Sequence, residues 1–352
     1  MAPRQLHSIQ VLRGLAALSV VIGHLWQVET RFLGEELTSS VMLVGFAGVD
    51  LFFVLSGFVM VHVTRTLETG SRNNAYFLYK RVTRIYPPYW VFTALMIVAI
   101  LVGPDTSTER VHTDAVVSSL LLLPQFELPI LPVGWTLVHE MYFYIVFTAL
   151  LFLPRRWLPF ALIIWLLVVA LATAFGLHRQ TATFSIVFNP LTVEFLLGAA
   201  LALWRPNLPR WAGALAIAAG LSGLLAAAVA LGPLSVETFP VFWTRFFVFG
   251  IPVFLIVLGV LQFETGTPTG VFAGLVRLGD WSYSLYLGHL IFLAAGARIW
   301  TLVVPDLGWL DNLAMLSLGV AGCIIAAGLT YHWVERPMLI ATRRFGHRVF
   351  KS

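Results

Sequence analysis

Apolar blocks about twenty residues long follow one another along this 352-residue chain, and nearly all of its charge sits in the short segments between them. A block of that length matches a hydrocarbon layer about 30 Å thick. Inside such a layer every backbone N–H and C=O must find its partner within the protein, so an uninterrupted apolar block spans as a helix. Charged residues are 11% of the chain and hydrophobic ones 59%, whereas a soluble domain carries about 25% charge. That is too little charge to clothe a water-facing surface. The fold class is all-α and polytopic.

Ten spans are expected, at about 9–27, 42–63, 86–103, 135–153, 157–177, 186–204, 211–231, 243–262, 281–304 and 310–333. The pair Pro87–Pro88 is placed at the opening of the third helix, where proline is tolerated. The apolar segment 115–133 is broken by Pro124, Pro129 and Pro132, and reads as a re-entrant or interfacial piece buried against protein. The Ala- and Gly-rich span 211–231 suits close helix approach. The first 28 residues faintly resemble a signal peptide, but Arg13 interrupts the apolar stretch and no small-residue cleavage site follows. They read as a retained first helix. No loop is long enough for a separate soluble domain and no internal repeat is evident, so residues 1–352 are expected to form a single membrane domain.

Basic residues set the orientation. With a cytoplasmic N-terminus the inner side holds Arg4, Arg65, Arg72, Lys80, Arg81, Arg84, Arg155, Arg156, Arg205, Arg210, Arg277, Arg336, Arg343, Arg344, Arg348 and Lys351. The outer side keeps Arg31, Arg110, Arg179, Arg245 and Arg298. Sixteen against five puts both termini inside. The same distribution accounts for a pI near 9.6 without any nucleic-acid partner. Cys323 is the only cysteine and lies within an apolar block, so no intramolecular disulfide forms.

Ionisable residues inside a span are costly and mark functional candidates. Arg13 and His24 lie eleven residues apart in the first span, which puts them on one helix face about 16 Å apart. That face suits a ligand lying lengthwise in the bundle, or else a snorkelling arginine and a core histidine. In GVDLFFVLSGF, Asp50 and Ser56 sit in apolar surroundings, and Asp50 calls for an arginine from another helix. Arg81 and Arg84 of KRVTRIYPPYW share a face if helical, as two guanidinium forks for phosphate oxygens or as plain inner-side charge. In GWTLVHEMYFY, Phe143 stands where a zinc protease has its second histidine, so no metal site is expected. Glu140 lies about a turn below the outer surface, as His24 does, where a carboxylate can orient an imidazole as general base. In GDWSYSLYLGHL, Tyr283, Tyr286 and His289 form one polar stripe.

In their order and topological positions, Arg-x10-His, GVDLFFVLSGF, RVTRIYPPYW, GWTLVHEMYFY, SYSLYLGHL and the terminal VERP resemble the acyltransferase family 3 membrane proteins over nearly the whole chain. The resemblance implies a ten-helix bundle that takes acyl groups from cytoplasmic acyl-CoA. Through it His24 matches the family's essential histidine, Arg13 its paired arginine, and Arg81 and Arg84 its arginine pair. Trp135, Glu140 and Tyr144 match its WSLxxExxFY motif, with Thr136 in place of the usual serine. Many members carry an extra hydrolase-like domain outside the membrane. None is expected here.

The expected reaction is O-acyl transfer, with acetyl-CoA as donor substrate, no permanently bound cofactor, and a cell-surface or lipid-linked glycan as acceptor. Arg13, Arg81 and Arg84 would hold the CoA phosphates, and His24, oriented by Glu140, would deprotonate a sugar hydroxyl or itself take the acyl group. Asp50, Ser56, Trp135, Tyr144, Tyr286 and His289 would bind the acceptor, with Tyr286 or His289 also placed to stabilise an oxyanion. The expected location is a bacterial inner membrane, with a homo-oligomer left open. Two readings compete: a flippase of lipid-linked glycan, and acylation of a small metabolite such as a macrolide sugar. The flippase is disfavoured because no inverted repeat of broken helices is present.

Overall fold

The computed structural model describes residues 6–34, 37–67, 70–103, 112–230, 239–264 and 270–351. It is 84% helical, with no strand among the described residues. The helices are α1 (His7–Phe32), α2 (Ala47–Thr64), α3 (Ser71–Val102), α4 (Thr113–Leu120), α5 (Gly134–Leu150), α6 (Leu158–Ala174) and α7 (Ala182–Val187). They continue as α8 (Leu191–Trp204), α9 (Arg210–Ala230), α10 (Phe242–Arg245), α11 (Ile251–Val260), α12 (Val271–Val303), α13 (Trp309–Thr330) and α14 (Arg336–Lys351). Nine helical runs among the described residues are long and apolar enough to cross a membrane. The remaining expected span, 135–153, is α5, which has 17 residues. Arg4 and Arg110, counted above for orientation, lie outside the described residues.

Several helix boundaries depart from the sequence reading. α3 begins at Ser71, so Pro87 and Pro88 lie in its interior and do not open it. Each interior proline costs about 3 kcal/mol of helix propensity. Burial of Phe77, Ile85, Tyr89 and Phe92 offsets it by packing. α12 begins at Val271, ten residues before the expected start. Arg277 and Asp280 depress hydropathy there, yet Leu278 and Gly279 are buried and carry the helix on. The expected span 186–204 is two helices, α7 and α8, parted at Asn189–Pro190, where the Asn189 side chain accepts from the Leu191 N–H at 3.1 Å. α13 passes through a π-helical turn, Tyr331–Glu335, into α14.

The chain forms two compact units and passes between them within α2, after α8 and after Tyr331. One holds Ser56–Trp204 and His332–Ser352. There α3 receives the broken segment 113–133. Tyr89 and Tyr86 hydroxyls and the Trp90 indole N–H donate at 2.9 Å to the carbonyls of Ser119, Leu121 and Leu120. Those carbonyls lie at the C-terminal end of α4, where main-chain partners run out. The Ser119 carbonyl also accepts from the Leu122 N–H at 3.0 Å, and the three side chains come from one turn of α3. Ile130, Leu131 and Val133 beyond them are buried.

The other unit holds Ala2–Leu55 and Arg205–Tyr331. α1 and α12 run parallel in it, since Gln10 bonds Asp280 at 2.7 Å and His24 meets His289 farther along both helices. They cross at Gly14 and Gly279. A Cβ on Gly14 would come within 2.9 Å of the Gly279 nitrogen, and one on Gly279 within 2.6 Å of the Gln10 carbonyl carbon. Only glycine permits backbones to approach so closely. The Ala- and Gly-rich α9 packs on α11 in the same manner, Gly213 facing Gly259.

Candidate functional site

The α1–α12 crossing aims Arg13 and His24 of α1 at α12. Arg13 donates to Gln10 Oε1 and Ser282 Oγ, each at 3.1 Å, and Gln10 in turn donates to Asp280. Eleven residues on, the His24 and His289 rings lie 4.8 Å apart. His289 is fully buried. Its Nδ1 faces the carbonyls of Tyr286, at 2.8 Å, and Leu285, at 3.3 Å. Carbonyls only accept, so this nitrogen carries the proton, and Nε2 of the neutral ring is an acceptor. That acceptor meets His24 Nδ1 at 3.2 Å, and His24 Nδ1 also meets the Val20 carbonyl at 2.8 Å. Two acceptors around one nitrogen fix its proton there. His24 Nε2 is then the basic lone pair, and no hydrogen bond occupies it among the described residues. Such a nitrogen can take a proton from a hydroxyl or attack a carbonyl.

The turn Ser40–Phe46 presses its last residue against this ring. Phe46 stands edge-on to His24, centroids 4.6 Å apart. A Cβ at Gly45 would strike the carbonyl of Ser19 and lie 2.8 Å from the Gly23 nitrogen, so the turn reaches α1 only because position 45 has no side chain. Asp50, on the first turn of α2, is fully buried and meets Arg245 from α10 with two 2.8 Å bonds, Nε to one oxygen and Nη2 to the other. The same Nη2 donates to the Phe46 carbonyl at 3.3 Å, and the guanidinium lies over the Phe239 ring at 5.4 Å. The expected arginine partner of Asp50 is therefore present. Both Asp50 oxygens are engaged, and through Arg245 it is tied to the turn that carries Phe46.

In the first unit, α5 carries a second polar group. Tyr144 stands one turn after Glu140 and donates to its Oε1, and Ser56 Oγ on α2 reaches the same oxygen at 3.4 Å. Arg81 of α3 places its guanidinium 5.8 Å from the Tyr144 ring centre and 5.2 Å from that of Phe77. It interacts electrostatically with Glu140 and with Arg84, one turn on and half-buried. Trp135, in the first turn of α5, meets the His139 ring edge-on at 5.7 Å. Glu140 and His24 fall in different units, and within its own unit each already has partners.

Tyr286 is buried one turn before His289, its ring 5.7 Å from that of Phe52. The sequence reading missed that His289 bonds His24 directly, and it took Arg245 for a charge near the outer edge. Arg245 is the lone cation of an apolar stretch, FWTRFFVFG, which is the signal that marks it as paired. Among the described residues no group of three or more His, Cys, Asp and Glu is disposed to hold a metal ion.

Residues 6–331 match the family described as an acyltransferase domain. The chain is 30% identical to the exopolysaccharide production protein ExoZ of Rhizobium meliloti, over 88% of this chain and 94% of that one. It is 28% identical to the acyltransferase MdmB of Streptomyces mycarofaciens, over 96% and 93%. Against the peptidoglycan O-acetyltransferase OatA of Listeria monocytogenes the identity is 25%, over 94% of this chain and 55% of that one. No solved structure matches the chain.

Proposed function

Because this chain belongs to the acyltransferase 3 family, we propose that it transfers an acyl group, normally acetyl, from cytoplasmic acyl-CoA to a hydroxyl of a cell-surface or lipid-linked glycan. The names of its relatives support a glycan acceptor: one acts in exopolysaccharide production and another O-acetylates peptidoglycan. The enzyme is a multi-pass membrane protein, here assigned to a bacterial inner membrane with both termini cytoplasmic.

The observation that carries the mechanism is the His24–His289 contact. With its Nδ1 proton committed, His24 offers Nε2 as general base. It takes the hydroxyl proton as the acceptor oxygen attacks the thioester carbonyl. The tetrahedral intermediate collapses, the C–S bond breaks, and the CoA thiolate recovers the proton from His24. While His24 is an imidazolium, the hydrogen bond from its Nδ1 to His289 is charge-assisted and strengthens. Arg81 and Arg84 serve the donor phosphates, with Arg13 as a further cation for the donor. Glu140, with Tyr144 and Ser56, supplies a second acid–base group for the acceptor, alongside Trp135 and Tyr286.

The test is thiol release from acetyl-CoA by purified protein with glycan acceptor. His24→Ala is expected to lower the rate about 10²–10⁴-fold, the usual worth of a general base, with folding intact. Retention of more than half the rate in a well-folded variant overturns the assignment. Wild-type protein that moves glycan across vesicles without releasing CoA supports the flippase instead.

A further inference from the structure

We propose that α14 is a surface helix that lies on one membrane leaflet and holds the headgroups of anionic phospholipids. It follows α13 in the chain, after the π-helical stretch Tyr331–Glu335. One face is covered by α3 of the same unit. The Tyr79 hydroxyl donates to the Thr342 carbonyl at 2.9 Å, and Phe350 packs on the rings of Tyr76 and Tyr79 at 5.4 and 5.5 Å. Gly346 lies so close to Tyr79 that a Cβ there would sit 2.5 Å from its ring.

The rest of the helix surface carries two kinds of residue. Arg336, Arg343, Arg344 and Arg348 are exposed, with His347 among them. At about 100° per residue they share one arc. Beside the arc lie Phe345, 60% exposed, and Val349, 49% exposed. Neither α14 nor α3 contains a carboxylate, and the exposed Arg72 and Lys80 of α3 add to the same positive field. A row of cations beside an exposed apolar edge is the pattern of a helix lying in a bilayer interface. Phosphates are the complement of the arc, and both a phospholipid and a CoA nucleotide offer them. The apolar edge decides between the two, because a soluble nucleotide gives Phe345 and Val349 nothing to enter.

The experiment uses the full chain with Phe345→Cys, labelled with a fluorophore and reconstituted into vesicles. The unsubstituted chain, whose Cys323 is buried, supplies the blank. Headgroup-proximal quenchers are carried on phosphatidylglycerol in one sample and on phosphatidylcholine in the other. Stronger quenching by phosphatidylglycerol is expected. Each arginine near an anionic surface strengthens association about five-fold. Arg343→Gln, Arg344→Gln and Arg348→Gln together should therefore lower the preference about 100-fold if additive, and no less than about ten-fold. Acetyl-CoA affinity should stay unchanged. Equal quenching by both lipids, or a preference that survives the triple substitution, overturns the proposal. So does a triple variant that keeps the lipid preference and loses acetyl-CoA, which assigns the arc to the donor. Should the labelled variant not fold, phosphatidylglycerol retained by detergent-purified wild type and by the triple variant is counted by mass spectrometry. Equal retention again overturns the proposal.

Discussion

Replacing His289 tests whether the two imidazoles act as one unit. His289→Leu fills most of a fully buried position and removes the acceptor that His24 Nδ1 meets at 3.2 Å. His24 keeps the Val20 carbonyl at 2.8 Å, so its tautomer and its basic Nε2 survive. What it loses is the partner that steadies the imidazolium formed during the reaction. A hydrogen bond to a charged group contributes about 1.5–3 kcal/mol, which is about 10- to 150-fold in rate. The charge exists only after proton transfer, so the loss belongs in kcat with KM little changed. His24→Ala and His289→Leu combined should be no slower than His24→Ala alone, since the second substitution has nothing left to act on. The assay is CoA release by purified protein at saturating substrates, with a melting curve for each variant. Multiplicative losses in the double variant, or a loss confined to KM, would refute the reasoning. The same cycle with Glu140→Gln tests whether that carboxylate orients His24. If it acts through His24, the double variant should be no slower than His24→Ala alone, whereas multiplicative losses would make Glu140 a separate group.

Three further outcomes are expected. Asp50→Ala or Arg245→Ala should each cost about 3–5 kcal/mol of stability by stranding a buried charge, with the double variant less damaged than the two losses summed; additive losses in detergent unfolding would remove the pair from its structural role. Arg81→Ala and Arg84→Ala should weaken acetyl-CoA binding, and lysine at either site should restore it only in part for want of a fork; unchanged affinity in equilibrium binding returns both to topology. Gly279→Ala forces the α1–α12 crossing apart and should cost about 1–3 kcal/mol as overpacking, read as a lowered melting point; an unchanged one would refute the close crossing.

The spans were legible because apolar length is a one-dimensional property. Helix starts were less so: a hydropathy window stops at Arg277 and Asp280, whereas α12 continues through them because Leu278 and Gly279 face α1. The Pro87–Pro88 pair misled for the opposite reason, since propensity is local and the packing that outweighs it is not. Asp50's need for an arginine could be read from burial cost alone, but the arginine lies 195 residues away. The polar stripe of α12 was visible as a spacing of three. That His289 on it turns toward His24 depends on the rotation of α12 about its own axis, which no spacing within one helix defines.

The crossing of Gly14 and Gly279 has a mechanical consequence. With backbone against backbone there, α1 has a fulcrum, and His24 stands ten residues beyond it, about 15 Å along the axis. A tilt of about 2° about that point would move the imidazole by about 0.5 Å, a large part of the tolerance of a 3.2 Å hydrogen bond. Spanning helices change tilt as the bilayer thickens or thins. A change of tilt at that crossing would act directly on the His24–His289 distance, and turnover measured in lipids of graded chain length would read it.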